Sequence, residues 1–262
     1  MKRILIFGYG VAAYLLFFAT FLWAMAFVGN VAAPKTIDSG APGDKLTAIL
    51  VNASLLGLFA IQHTVMARRG FKTWIKSVLP AAIERSTFVF VASAILFGTF
   101  WFWEPMPDAV WAIESPVAAA AVSGLYWLGW AVVLLASFLI NHFDLFGLRQ
   151  VTLALKNQSY KPLPFRMTFL YRFVRHPLLL GFVIAFWSAP VMSEGRLLFA
   201  ILSTAYILVG IQFEERDLAR EHGETYRRYQ RQVPMLLPYK AGVKPGSEAT
   251  VEGARAQAVL AK

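Results

Sequence analysis

The sequence predicts an all-α, polytopic integral membrane protein with five to six transmembrane helices, a C-terminal helical hairpin and a cytoplasmic C-terminal helix. Three observations carry this expectation. Of the 262 residues, 58% are hydrophobic and 15% charged, against about a quarter charged in a soluble domain. Several apolar runs reach the roughly 20 residues that cross a bilayer. The basic residues also alternate between loops that are rich in them and loops nearly without them.

The first apolar segment, Ile4–Val28, contains Ala24-Met25-Ala26, which resembles a signal cleavage site. The run is longer than a usual signal core, and Gly8, Tyr9, Gly10 and Tyr14 suit a packed helix, so we read it as a span. Thr47–Met66, Ser86–Trp103 and Val117–Ile140 follow as further spans. Leu178–Met192 has only 15 residues, short for a crossing. With a turn at Ser193, Glu194 and Gly195 and a sixth segment, Leu197–Phe213, it predicts a tight hairpin. Glu214–Arg231 reads as a polar helix ending before Pro234, and the proline-bounded stretch Val233–Pro238 is expected to dock back on the membrane face. The chain thus divides into N-terminal membrane helices (1–140), a ligand-binding membrane region (141–240) and a Gly/Ala/Lys-rich tail (241–262) expected to be disordered.

Charge sets the orientation. With Lys2 and Arg3 inside, 22 of the 25 lysines and arginines fall on the cytoplasmic side, while the third loop carries only Glu104, Asp108 and Glu114. Both termini are then cytoplasmic. The net charge of +10 therefore reflects loops facing anionic lipid, and a nucleic-acid stripe would not alternate in this way. There is no cysteine, which excludes disulfides and thiolate chemistry from the protein itself. The four histidines, at 63, 142, 176 and 222, are too scattered to read as a metal site.

Two polar clusters flank the hairpin. Arg175-His176-Pro177 precedes it, and Pro177 suits the first turn of a helix whose free N–H groups, with Arg175 and His176, would hold a carboxylate. Gly181 lets a ligand or a neighbouring helix approach one turn in. The same residues fit a basic flank with a helix-start proline and a packing glycine. Glu214-Glu215 closes the sixth segment, where acids oppose the helix dipole unless the helix continues. They suit an α-amino group or a ribose diol, and equally a solvated helix face. Tyr226 and Tyr229 share one helical face, as walls for an aromatic ring or as interface anchors. Gln62 and His63 lie near the end of a span, where ionisable residues are functional candidates. Asn141, His142, Asp144, Arg149 and Gln150 suggest an interfacial turn, with Asp144–Arg149 as an ion pair.

Taken together, Arg175-His176-Pro177, Gly181, Glu214-Glu215, Leu218, Gly223–Tyr229 and Val233-Pro234 resemble the isoprenylcysteine carboxyl methyltransferase superfamily over roughly residues 140–238. Gln62–Arg68 and Phe146–Val151 resemble its methanethiol S-methyltransferase branch, whose product is dimethyl sulfide. The resemblance implies S-adenosylmethionine as cofactor, methanethiol as acceptor, the bilayer as surroundings and the bacterial inner membrane as location. Carried over by residue, Arg175, His176, Leu178, Leu180, Gly181, Glu214, Glu215, Tyr226 and Tyr229 contact the cofactor. The pattern has a tyrosine where this chain has Leu179, which makes that contact apolar or moves it to Tyr171 or Tyr226. His63 is the expected base, with Arg149, Asp144 and Gln150 orienting or stabilising charge and Arg216 a further anion stabiliser. The competing expectations are a carboxyl methyltransferase acting on a prenylated cysteine, an NADPH-dependent membrane reductase and a non-enzymatic membrane protein.

Overall fold

The computed structural model describes residues 1–31, 33–163, 167–239 and 242, which form nine α-helices, two short 3-10 turns (Ala81–Ile83 and Phe169–Arg172) and two short strands. The expected disorder of the tail, Gly242 apart, and the position of Arg166 lie outside these residues. In chain order the elements are α1 (Lys2–Gly29), α2 (Lys45–Ala67), α3 (Arg69–Val78), α4 (Glu84–Trp101), β1 (Ala109–Ala112), α5 (Pro116–Ile140), α6 (His142–Leu145), α7 (Leu148–Leu155), α8 (Pro177–Trp187), β2 (Val191–Ser193) and α9 (Glu194–Gln232). Five of the helices (α1, α2, α4 within Ala81–Trp101, α5 and α9) are long and apolar enough to cross a membrane. The protein is an all-α polytopic membrane protein, as its composition predicts.

The helix starts follow local chemistry. Asp44 caps α2 by accepting the Thr47 N–H at 2.8 Å, and Ser115 caps α5 ahead of Pro116. The helix α3 is not foreseen in the sequence. Arg69, Lys72 and Lys76 recur along one side of it and Phe71, Ile75 and Val78 along the other, the pattern of a helix lying on a surface. Inside the bundle, Phe27, Phe100, Trp103, Trp130, Phe186 and Phe199 build an aromatic core onto which Leu179 also packs.

The hairpin departs from expectation in two ways. Ser193, Glu194 and Gly195 are not its turn: the Ser193 hydroxyl oxygen accepts the Arg196 N–H at 3.1 Å, so Ser193 caps α9 and the reversal falls on residues 188–193. Those residues include β2, which pairs antiparallel with β1 from the third loop, Ala112 opposite Val191 and Ala109 opposite Ser193. The segment also reaches the far face despite its short helix. The 11 residues of α8 rise only about 16 Å, roughly half the hydrocarbon thickness, and extended backbone completes the distance. There the tip is anchored by Lys45–Glu194 (2.8 Å), by the Ser193 hydroxyl donating to Asp38, and by buried Arg196, which donates to the Ser188 carbonyl at 3.0 Å and covers the Tyr126 ring.

The tightest helix pair is α5 with α8. A Cβ added at Gly181 would lie 2.7 Å from the Gly129 carbonyl oxygen and 2.8 Å from the Val133 nitrogen, and one at Gly129 would meet Gly181 and Ala185 in return. Backbone thus meets backbone across small residues, as membrane helices pack in the absence of a hydrophobic drive. Gly181→Ala is expected to destabilise the detergent-solubilised protein by about 1–3 kcal/mol by overpacking. Gly210→Ala, where nothing lies within 4 Å, should not lower stability. Thermal unfolding of the two variants checks the contrast.

The helix α9 continues well past the apolar stretch ending at Phe213, which removes the dipole objection to Glu214 and Glu215. Gly223, at φ 56° and ψ −132°, breaks it, a conformation that favours glycine. The chain beyond the break folds Tyr226, Tyr229 and Gln230 back towards the start of α8. The following segment docks as expected: the Arg175 N–H donates to the Pro234 carbonyl at 2.9 Å and the His176 N–H to that of Met235 at 3.2 Å.

Candidate active site

The end of α2 and the start of α8 meet the polar half of α9, through Arg68–Asp217 at 3.2 Å and Arg175–Glu215 at 2.6 Å, and the start of α4 packs on the end of α2 through Phe88 and His63. Around the start of α8, Arg175 donates from Nε to Glu215 Oε1 at 2.6 Å and from its terminal nitrogen to the Gln230 carbonyl at 3.0 Å. His176 Nε2 stands 3.1 Å from the same Glu215 oxygen, and Gln230 Nε2 donates to Glu215 Oε2 at 2.9 Å. The carboxylate that Arg175 and His176 hold is therefore the protein's own.

The two adjacent glutamates differ because one residue along a helix is a turn of about 100°. The Glu215 side chain is 12% exposed and fully engaged, whereas that of Glu214 is 54% exposed and 3.6 Å from His176 Nδ1. Tyr171 lies within electrostatic reach of Glu214: burial first, then the Glu214 charge, push its phenol up, so it stays protonated.

Other expected cofactor contacts have structural partners. Gly181 faces α5 rather than a ligand space, because the Gly129 backbone fills its open side. Tyr226 and Tyr229 are buried edge to face at 5.8 Å in a small core with Met167 and Val233, and the Tyr229 hydroxyl donates to the Tyr171 carbonyl at 2.6 Å. They brace the site from behind rather than stand open as ring walls. Leu178 and Leu180 are half-buried in the first turn of α8.

At the end of α2, His63 Nδ1 is 2.9 Å from the Tyr206 hydroxyl, which Thr64 also contacts at 3.4 Å. Phe59 and Phe88 pack on the imidazole, with centroids 5.3 and 4.8 Å away. Its Nε2 has no hydrogen-bond partner among the described residues.

The expected Asp144–Arg149 ion pair forms, at 2.8 Å. Arg149 also donates to the Lys161 carbonyl and lies over the Tyr160 ring, while Gln150 donates to the Asp144 carbonyl at 3.1 Å. Burial and the Asp144 charge raise the Tyr160 phenol, which remains a neutral donor to Asp144. These groups lock α6 and α7 together, so Arg149 is occupied. Arg216 is exposed on α9 against Phe213, and no contact joins it to His63 among the described residues.

Three residues with contacts in this region carry little mark in the sequence. Tyr206 is a hydroxyl inside an apolar run, a signal that does mark it. Gln230 falls within the polar stretch Glu214–Arg231 and Arg85 among the basic residues between two spans, and neither position stands out there.

The comparisons with known proteins are decisive. The chain is 51% identical over 239 residues to the methanethiol S-methyltransferase of Mycobacterium tuberculosis, covering 91% of this chain and 98% of that one. It is 50% identical over 236 residues to methanethiol S-methyltransferase 2 of Bradyrhizobium diazoefficiens, covering 90% and 91%. The chain belongs to the methanethiol S-methyltransferase family. A more distant similarity, 26% over 191 residues, links it to nurim of Xenopus laevis. No family model matches the chain, and no solved structure does. As a methanethiol S-methyltransferase family member the protein is an enzyme.

Proposed function

We propose that the protein transfers a methyl group from S-adenosylmethionine to the sulfur of methanethiol, giving dimethyl sulfide. The observation that carries this reading is the near full-length identity to proteins of that name. The charge distribution supports an inner-membrane location with both termini in the cytoplasm, where the cofactor would be met. Residues 141–240 are assigned the cofactor.

The residues suit such a ligand. Glu214 offers a half-exposed carboxylate 3.6 Å from His176 Nδ1, and such a group accepts from an α-amino group or a ribose diol. Leu178 and Leu180 offer apolar contact beside it, while Arg175, His176 and Glu215 fix the backbone that carries them. When bound, S-adenosylmethionine supplies an electrophilic methyl group on a sulfonium. The protein contributes orientation and a water-poor setting for two opposite charges that cancel as the new bond forms. Phe59, Phe88 and Tyr206 provide that setting around His63. In the tautomer that donates Nδ1–H to Tyr206, the lone pair at His63 Nε2 takes the thiol proton, because the thiolate is the nucleophile.

The test is binding of S-adenosylhomocysteine to the purified protein, then headspace detection of dimethyl sulfide from supplied methanethiol. Binding without product leaves the cofactor and removes the acceptor, and no binding removes both. Glu214→Gln is expected to weaken S-adenosylhomocysteine binding about 10-fold, the loss of one charged hydrogen bond, with unfolding temperature unchanged. Unchanged affinity would take Glu214 out of the cofactor site.

A further inference from the structure

Arg85, the second residue of α4, packs on the same ring as His63 and has no carboxylate within 4.0 Å among the described residues. Its Nε donates to the Leu145 carbonyl at 2.7 Å, which fixes the side chain, and its guanidinium lies 5.0 Å over the Phe88 ring. Phe88 in turn packs on His63 with centroids 4.8 Å apart. The carboxylates nearby are already engaged: Glu84 with Lys76 at 3.5 Å and Asp144 with Arg149 at 2.8 Å. Arg175 and Arg68 each hold a carboxylate within 4.0 Å, Glu215 and Asp217, and Arg85 holds none among the described residues. Its charge reaches His63, and Glu84, Asp144, Tyr160 and Glu214 lie within its field. A cation at a membrane boundary costs free energy unless an anion joins it, and the two terminal nitrogens of the fork have no hydrogen-bond partner among the described residues.

We propose that Arg85 is the anion-binding residue for the acceptor, holding the thiolate at the edge of Phe88, the ring on which both Arg85 and His63 pack. This rests on the methyl-transfer reading above. The S–H bond of the acceptor breaks and its proton passes to His63 Nε2. The sulfur pair, held against the guanidinium, forms the new carbon–sulfur bond as the methyl–sulfonium bond breaks and its electrons return to the departing sulfur as a neutral thioether. A fixed cation lowers the pKa of the bound thiol, and each unit is worth about 10-fold in thiolate at a pH below it. Arg149 does not serve this role, because Asp144 neutralises it.

The test uses the full-length protein with Arg85→Gln and Arg85→Lys, following S-adenosylhomocysteine affinity and product formation against pH with methanethiol and with trifluoroethanethiol, whose fluorines make its sulfhydryl more acidic. Arg85→Gln is expected to bind S-adenosylhomocysteine within about twofold of the parent and to lose about 10- to 100-fold with methanethiol at neutral pH. Its acid limb should move up by about one to two units. The loss should shrink with trifluoroethanethiol, and Arg85→Lys should keep the parental limb. Equal losses on both thiols with an unmoved limb would make Arg85 a strut for Leu145 and overturn the proposal. So would lost S-adenosylhomocysteine affinity, which would assign the guanidinium to the cofactor's carboxylate. If Arg85→Gln does not fold, Arg85→Lys decides: a retained limb supports the proposal, and a displaced one overturns it. A parent protein that binds S-adenosylhomocysteine yet methylates neither thiol removes the methyl-transfer reading itself, whatever the variants do.

Discussion

Glu215→Ala is expected to cost about 3–5 kcal/mol of stability, the range for removing one partner of a buried ion pair. The alanine would strand Arg175, whose side chain is 10% exposed, together with His176 at 6%. It would also free Gln230, which ties the segment beyond the α9 break to the start of α8. Much of a membrane-helix start and its docked tail rests on this carboxylate, and 3–5 kcal/mol is a large share of the roughly 5–15 kcal/mol that holds a domain folded. Cofactor affinity should fall with it, because the backbone of residues 175–178 is set by the same network. The comparison with Glu214 is the sharp test. Thermal unfolding of Glu214→Ala should match the parent, while Glu215→Ala should unfold far earlier, and an Arg175/Glu215 double-mutant cycle should show strong coupling. Equal behaviour of the two glutamate variants would mean that the division of labour between them is wrong.

That division marks the boundary of what the sequence reveals. Apolar length and basic alternation were enough for the spans, and the hairpin logic made Arg175-His176 and Glu214-Glu215 neighbours across some 35 residues of chain. Which glutamate turns inward depends on the rotation of α9 against α8. Gly129 fixes where α8 can sit by direct backbone contact with Gly181, and no local pattern reports it. The Asn141–Gln150 cluster was legible as a turn with an ion pair because its groups are close in sequence. The strands were not: Ala109–Ala112 and Val191–Ser193 are too short to show a period of two, and they exist only because two loops meet on the far face. Arg85 looks in the sequence like any basic residue between two spans, because its lack of a counter-ion among the described residues is a property of the folded surroundings and not of its flanks.

His63→Ala is expected to lower the rate of thiol methylation at neutral pH by about 10²–10⁴-fold, the usual contribution of a positioned base, with S-adenosylhomocysteine affinity retained. The expectation follows from geometry: Nδ1 is engaged by Tyr206 at 2.9 Å while Nε2 has no hydrogen-bond partner among the described residues, so one tautomer leaves the proton-accepting atom available. The pH dependence separates this role from packing. A thiol ionises unaided as pH rises, so a missing base matters less and less, and the deficit of His63→Ala should narrow steadily on the alkaline side. A histidine that merely fills space between Phe59 and Phe88 would leave a deficit that does not change with pH. Tyr206→Phe keeps the ring and removes the hydrogen bond, so it should lower the rate by a smaller factor with cofactor affinity unaltered. Full activity in His63→Ala at every pH, with cofactor bound, would mean that the thiol ionises without a protein base, leaving a fixed cation as the residue group that favours the anion.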